Sequence, residues 1–224
     1  AADICKRLGI SGGRQFVVKN SIGNEIPSQL THDGKILVEI AVAPSSSATI
    51  TIATGLPKSY VNTCYGRMYP ERVDDIAWEN DRGAYRCYGP ALQASGEQAF
   101  GNDVWVKNTP DLVVESRYHN ELVNKLSYHV DRGYGLDCYK VGPTLGCGTP
   151  AIIEGDNIRF PYCWTAYEIL DNGPLRFTVR LDYGANGEHR IMSLDKGSNF
   201  NKMTVWYDAI TTPVDVASGV VIHT

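Results

Sequence analysis

Leu175-Arg176-Phe177-Thr178-Val179-Arg180-Leu181-Asp182-Tyr183 alternates apolar and polar side chains without a break. In an extended chain successive side chains point to opposite faces, so Leu175, Phe177, Val179, Leu181 and Tyr183 share one side. Arg176, Thr178, Arg180 and Asp182 share the other. A strand of this kind packs its apolar side on a core and turns its polar side to solvent or to a cleft. Asp171-Asn172-Gly173-Pro174 before it and Gly184-Ala185-Asn186-Gly187 after it supply the fixed or positive φ that chain reversals need.

Outward from this stretch the same signature recurs. Alternating or β-branched runs predict strands over residues 15–19, 36–42, 49–53, 103–107, 111–118, 125–131, 163–170, 189–194, 202–207 and 220–222. No long segment carries a helical period. Many short strands at close spacing predict an all-β chain, folded as one large antiparallel β-sandwich or a barrel over residues 1–224, with 1–14 as an N-terminal segment. The 224 residues suit one such domain.

Composition narrows the function classes. Hydrophobic residues make up 43% and charged residues 21%, the balance of an ordinary globular chain, and the net charge is −4. The basic residues are scattered, without the stripe that a nucleic-acid-binding surface needs. No apolar run approaches the roughly 18 residues of a membrane-spanning helix. The Ala1-Ala2-Asp3 start fits a chain exported and freed of a signal peptide, hence a periplasmic, cell-surface or extracellular protein. Cys5, Cys64, Cys87, Cys138, Cys147 and Cys163 are even in number, which allows either a disulfide framework or separately buried thiols. None are spaced as Cys-x-x-Cys, so a zinc site has no support.

Residues 62–148 break the pattern. They are dense in Tyr, Arg, Asp and Gly, with irregular stretches between strands, and such polar, aromatic loops on a scaffold usually form a ligand site. Flat aromatic faces pack on the apolar face of a sugar ring, and planar carboxylate, amide and guanidinium groups satisfy its hydroxyls. Trp78, Glu79, Asn80, Arg82, Tyr85, Trp105, Tyr134, Asp137 and Lys140 supply this mixture. Read as a strand, the first cluster turns Glu79, Asp81 and Tyr85 one way and Asn80 and Arg82 the other; an Asn–Arg pair suits a uronate carboxylate. In the second cluster Ser127, His129 and Asp131 share a face, and a carboxylate beside an imidazole tunes a general base. Tyr139, with Lys140 and Asp137, offers a proton-transfer set or a plain strand end. His119 is placed to approach the same cleft, whereas His32 and His189 read as surface residues beside turns. The glycines fit neither phosphate-loop pattern. Nucleophile motifs are lacking too. No cofactor is expected, with a calcium ion held by Asp103, Asp131 and Asp137 as the one metal reading to check.

Several of these stretches together resemble the bacterial domain-of-unknown-function family 4861. They are Trp78-Glu79-Asn80-Asp81-Arg82, Tyr85-Arg86-Cys87-Tyr88-Gly89-Pro90-Ala91-Leu92, Asp103-Val104-Trp105-Val106-Lys107, Tyr128-His129-Val130-Asp131 and Gly135-Leu136-Asp137. Tyr139-Lys140-Val141-Gly142-Pro143-Thr144-Leu145-Gly146, Gly173-Pro174-Leu175-Arg176 and Ser193-Leu194-Asp195-Lys196-Gly197-Ser198-Asn199 extend the likeness. The resemblance implies a galactose-mutarotase-like super-sandwich, export, and a place among the polysaccharide-utilisation proteins of Bacteroidetes. It also implies members longer than this chain, so the sandwich is expected either to continue beyond Thr224 or to lack a part here. Cys87, Cys138 and Cys147 stand where the family carries hydrophobic or small residues, which favours separate thiols.

The expected activity is that of a lyase or dehydratase on uronic-acid-containing oligosaccharides. Arg82 and Asn80 would neutralise the carboxylate. His129, oriented by Asp131, would be the base, and Tyr85 or Tyr139 the acid. One alternative is a mutarotase or hydrolase, pairing Glu79 with His129 in the mutarotase case. The other is a non-catalytic glycan-binding subunit with Trp78, Trp105, Tyr85 and Tyr134 as stacking platforms.

Overall fold

A computed structural model describes residues 2–7, 9, 16–160, 162–184 and 187–223. Its strands are β1 (Phe16–Lys19), β2 (Ser28–Leu30), β3 (Ile36–Val38), β4 (Thr51–Thr54), β5 (Tyr65–Tyr69), β6 (Asp75–Glu79), β7 (Gly83–Cys87) and β8 (Asp103–Val106). They continue as β9 (Ala151–Glu154), β10 (Asn157–Arg159), β11 (Trp164–Asn172), β12 (Arg176–Tyr183), β13 (Glu188–Asp195), β14 (Lys202–Tyr207) and β15 (Asp215–Ala217). Among the described residues the short α-helices α1 (Ala2–Arg7), α2 (Pro90–Ala94) and α3 (Val114–Leu122) and a 3-10 turn at Pro70–Arg72 accompany them.

The body is an antiparallel β-sandwich. One four-stranded sheet runs β5-β6-β7-β8 and the other β11-β12-β13-β14, each strand pairing with its neighbour in sequence. Phe177, Val179, Leu181 and Tyr183 of β12 point inward with Met192 and Leu194 of β13, against Ile76, Trp78, Tyr85 and Cys87 of the facing sheet. The alternation of residues 175–183 therefore places its apolar side in the core as expected, all five residues buried. The sheets approach so closely at Gly66 that a Cβ there would lie 2.6 Å from Trp78 and 2.7 Å from Phe177. Pairs β1-β4 and β2-β3 and the sheet β10-β9-β15 surround this body.

The outer face of the β5–β8 sheet carries a second core of Tyr69, Ala77, Ala84 and Trp105, covered by Val114, Tyr118 and Tyr128. Here the structure departs from the expected strands. Residues 111–118 contribute to helix α3 rather than to a strand, because the Glu79 carboxylate accepts the Val113 and Val114 backbone N–H groups and caps the helix start. Val114, Arg117 and Tyr118, at helical spacing, then lie buried on the sheet. Residues 125–131 form irregular chain with a turn at 128–129, and of 220–222 only Val220 makes a bridge, to Cys147. The expected strand at 15–19 begins one residue outside the described region, and Ala185 and Asn186 of the following turn also lie outside it.

Among the described residues Cys64, Cys87, Cys138, Cys147 and Cys163 are free thiols; the Cys5 side chain lies outside them. Burial pushes the Cys64 thiol up to about 12, so it serves as a small hydrophobe of the core.

Candidate functional site

The outward-facing positions of three neighbouring strands place a charged cluster at one end of the second core. Arg86 on β7 lies opposite Asp103 on β8, and Asp75 opens β6 on the same face. The Arg86 guanidinium donates to Asp103 (2.5 Å) and to Asp137 (2.8 Å), with Asp75 at 3.7 Å. All four side chains are at least nine-tenths buried.

Asp137 reaches this sheet because the loop before it pairs with the edge of β8. Leu136 and Val106 exchange both backbone hydrogen bonds. Gly135 makes the approach feasible: its φ is +88°, and a Cβ there would sit 2.1 Å from the Val106 carbonyl oxygen. Asp75 is delivered by a strained turn, with Val73 at φ 49° and Asp74 at φ 64°. A β-branched residue in that region is a genuine outlier, and it separates Arg72 from Asp75 at the wall of a pocket.

That pocket has a volume of about 350 Å3, within the size range of small-molecule sites, and opens above the Arg86 cluster. Arg72, Tyr88, Tyr128, His129, Tyr139 and Lys140 line it together with Asp75, Arg86 and Asp137. His129 is 58% exposed. Its Nδ1 donates to the Asp137 carbonyl at 3.0 Å with the Asp137 carboxyl at 3.7 Å, which leaves Nε2 as the acceptor nitrogen. Arg72 and Lys140 form no ion pair among the described residues; Arg72 instead donates to the Tyr128 hydroxyl.

Burial pushes the Asp75 carboxyl up to about 7 against the opposing pull of Arg86 and Arg72, and pushes Asp137 up to about 6 against Arg86 and His129. A carboxyl raised in the folded chain holds a proton that the unfolded chain has already released. Its contribution to stability is full below the ordinary value of 3.8 and is lost as pH rises through about 7. Asp75→Asn is neutral at every pH. Urea titrations should therefore show the variant gaining on the wild type between about pH 4 and pH 7; a constant difference would mean that Asp75 is charged throughout.

Of the residues anticipated for the site, His129, Asp137, Tyr139 and Lys140 meet at this pocket. The structure corrects the geometry expected of several others. Asp131 does not orient His129, because residues 127–131 do not form a strand; it is exposed and accepts the Gly133 and Gly135 N–H groups. Asn80 and Arg82 do not form a strand face, since they lie in the β6–β7 turn. Asn80 is wholly buried, accepts the Arg82 and Gly83 N–H groups, and donates to the Asp195 and Ser198 carbonyls. Trp78 and Tyr85 belong to the inter-sheet core, bonded to Asn201 and to the Asn199 carbonyl. Neither offers a free ring face. Trp105 is buried under Tyr128 with its ring stacked 4.8 Å away. Glu79 pairs with the buried Lys107 and caps α3, away from His129 as a mutarotase partner.

Tyr134 stays half-buried, 5.2 Å from the Arg117 guanidinium. Tyr139 keeps its ring at the pocket but turns its hydroxyl to the Gly146 and Val221 carbonyls. The carboxyls considered for calcium split up: Asp103 and Asp137 hold Arg86, whereas Asp131 closes its own turn. His119 is exposed on α3 and outside the pocket lining. His32 is exposed and His189 half-buried; His32 bonds Asp171, and His189 sits between Asp182 and Asp208.

Arg72, Asp75, Arg86, Tyr88 and Tyr128 are the site residues that local reading passed over. Arg86 and Tyr88 lie inside a quoted motif, Asp75 just before one, and the parity of Asp75, Ala77 and Glu79 would have aligned Asp75 with the outer face.

Asn80→Ala is expected to cost about 1–3 kcal/mol of stability, since it strands two carbonyls and two turn N–H groups. Urea denaturation measures this, and an unchanged midpoint would return Asn80 to the list of ligand contacts.

A two-sheet antiparallel sandwich with a buried arginine–carboxyl cluster under an open polar pocket is the class that fold and site define. The chain belongs to the DUF4861 family, a domain of unknown function whose family model matches residues 2–224. It is 31% identical over 174 residues to a Formosa agariphila protein called Uncharacterized protein P7, an overlap of 71% of this chain and 43% of that protein. The matched part is thus less than half of that relative's length. No solved structure matches the chain.

Proposed function

We propose that the pocket binds a uronic-acid-containing oligosaccharide and carries out β-elimination on it, as a lyase or dehydratase of polysaccharide degradation. The observation behind this reading is the pairing of two cations without ionic partners among the described residues, Arg72 and Lys140, with an imidazole whose Nε2 is the acceptor nitrogen. The cations suit the substrate carboxylate and stabilise the enolate-like anion that forms when the neighbouring C5 proton leaves. His129 takes that proton, oriented by the Asp137 carbonyl and carboxyl. In this assignment Arg72 and Lys140 take the role first considered for Arg82 and Asn80, and Asp137 that of Asp131. The protein works outside the cytoplasm beside other polysaccharide-utilisation proteins.

Incubation with pectic, ulvan-like and alginate-like oligosaccharides, read by mass spectrometry and ultraviolet absorbance, tests the reaction class. Elimination yields unsaturated products lighter by one water than hydrolysis would give. Products carrying an added water would show a hydrolase, and unchanged but retained oligosaccharide a glycan-binding subunit.

A further inference from the structure

Tyr128 stands at the junction of the pocket and the buried cluster. The residue is 4% exposed, and its ring is fixed by stacking on Trp105 at 4.8 Å and by the edge of Tyr118 at 5.8 Å. The phenol oxygen accepts hydrogen bonds from Arg72 (Nε at 3.2 Å, Nη2 at 2.5 Å) and from Arg86 (Nη1 at 3.2 Å). Donors from two guanidinium groups occupy its lone pairs, so its own O–H is the one direction left, and no acceptor among the described residues takes that proton. The residue lines the cavity and adjoins His129, with ring centroids 4.6 Å apart. An O–H aimed away from the protein's own acceptors, at an oxygen flanked by two fixed positive charges, is built to release a proton to a ligand. The other two tyrosines considered for this role are unsuited by placement: Tyr85 is in the core and the Tyr139 hydroxyl is held by carbonyls.

We infer that Tyr128 is the acid that protonates the departing oxygen, an assignment that rests on the elimination reading above. His129 Nε2 takes the C5 proton, and the C5–H electron pair becomes the C4–C5 double bond. The C4–O bond breaks with its pair on oxygen, and the Tyr128 proton joins that oxygen. An alcohol leaves a lyase substrate and water leaves a dehydratase substrate. The phenolate then rests between Arg72 and Arg86, and return of the proton from imidazolium through solvent resets both groups.

The test is Tyr128→Phe, assayed on the oligosaccharide that the wild type converts and on an analogue with a phenol as the C4 leaving group. With the natural substrate kcat should fall by about 10²–10⁴-fold while KM changes little. The phenol leaves without an acid, so the analogue should be turned over at close to the wild-type rate. Equal losses on both substrates would make Tyr128 a structural residue, and undiminished turnover of the natural one would remove it from the reaction. If Y128F loses its fold, difluorotyrosine at position 128 keeps the ring and hydroxyl, and the alkaline limb of kcat should move to lower pH; an unmoved limb overturns the assignment. A wild type that forms no unsaturated product from any uronate overturns the elimination reading, and this inference with it.

Discussion

Replacing Arg86 with methionine is expected to cost about 3–5 kcal/mol of stability near neutral pH, the usual penalty for removing one partner of a buried ion cluster. The guanidinium is within ion-pairing distance of Asp75, Asp103 and Asp137, and none of the four groups has appreciable access to water. Without it the carboxyls face one another in a poorly polarisable interior and can shed their charge only by taking protons. The loss should therefore shrink in acid. Urea denaturation at about pH 8 and again at about pH 5 should show the smaller deficit at the lower value. Equal deficits would mean that Arg86 acts through packing on Tyr88, Trp105 and Tyr128 rather than through charge.

His129→Ala should give the opposite profile. The side chain is 58% exposed and among the described residues makes one hydrogen bond, to the Asp137 carbonyl. Its removal should leave stability within about 0.5 kcal/mol of the wild type. Formation of unsaturated uronate should fall by about 10²–10⁴-fold, the range supplied by a positioned general base. Substrate affinity should change little, since the charge complement comes from Arg72 and Lys140. Unsaturated product formed at the wild-type rate would exclude His129 from the chemistry.

The fold was legible where burial on one face imposed a period of two. Residues 175–183 read as they stand, and β13 and β14 followed by the same rule. Leu112-Val113-Val114 misled because three apolar residues in a row fit a strand as well as a helix start. Glu79, 34 residues from Val113, decides between them by capping the helix. For the site, the sequence brought out His129, Asp137, Tyr139 and Lys140 by chemistry and clustering. Asp131 appeared to be the partner of His129 only on the premise of a strand at 125–131. In the folded loop Asp131 bends back to Gly133 and Gly135, and the carboxyl beside the imidazole is the one six residues further on. Asn80 and Trp78 looked like ligand contacts because polar and aromatic groups serve sugar binding and interior bonding alike. Burial tells the two apart, and burial is a property of the whole fold.

The contacts of the β6–β7 hairpin with the loop after β13 also bear on how the chain finds its fold. Trp78, Asn80, Asp81 and Tyr85 are tied to residues 195–201 across sequence separations of 114 to 123 residues. Closing so long a segment costs entropy before any of these bonds can repay it. The β6–β7 turn and the loop after β13 cannot make these bonds until both are in place, so folding should be slow and all-or-none rather than built up from one end. The Arg86 cluster and the pocket lining come from residues 72–142 alone, so these long-range bonds fix the turn of the hairpin rather than the pocket itself.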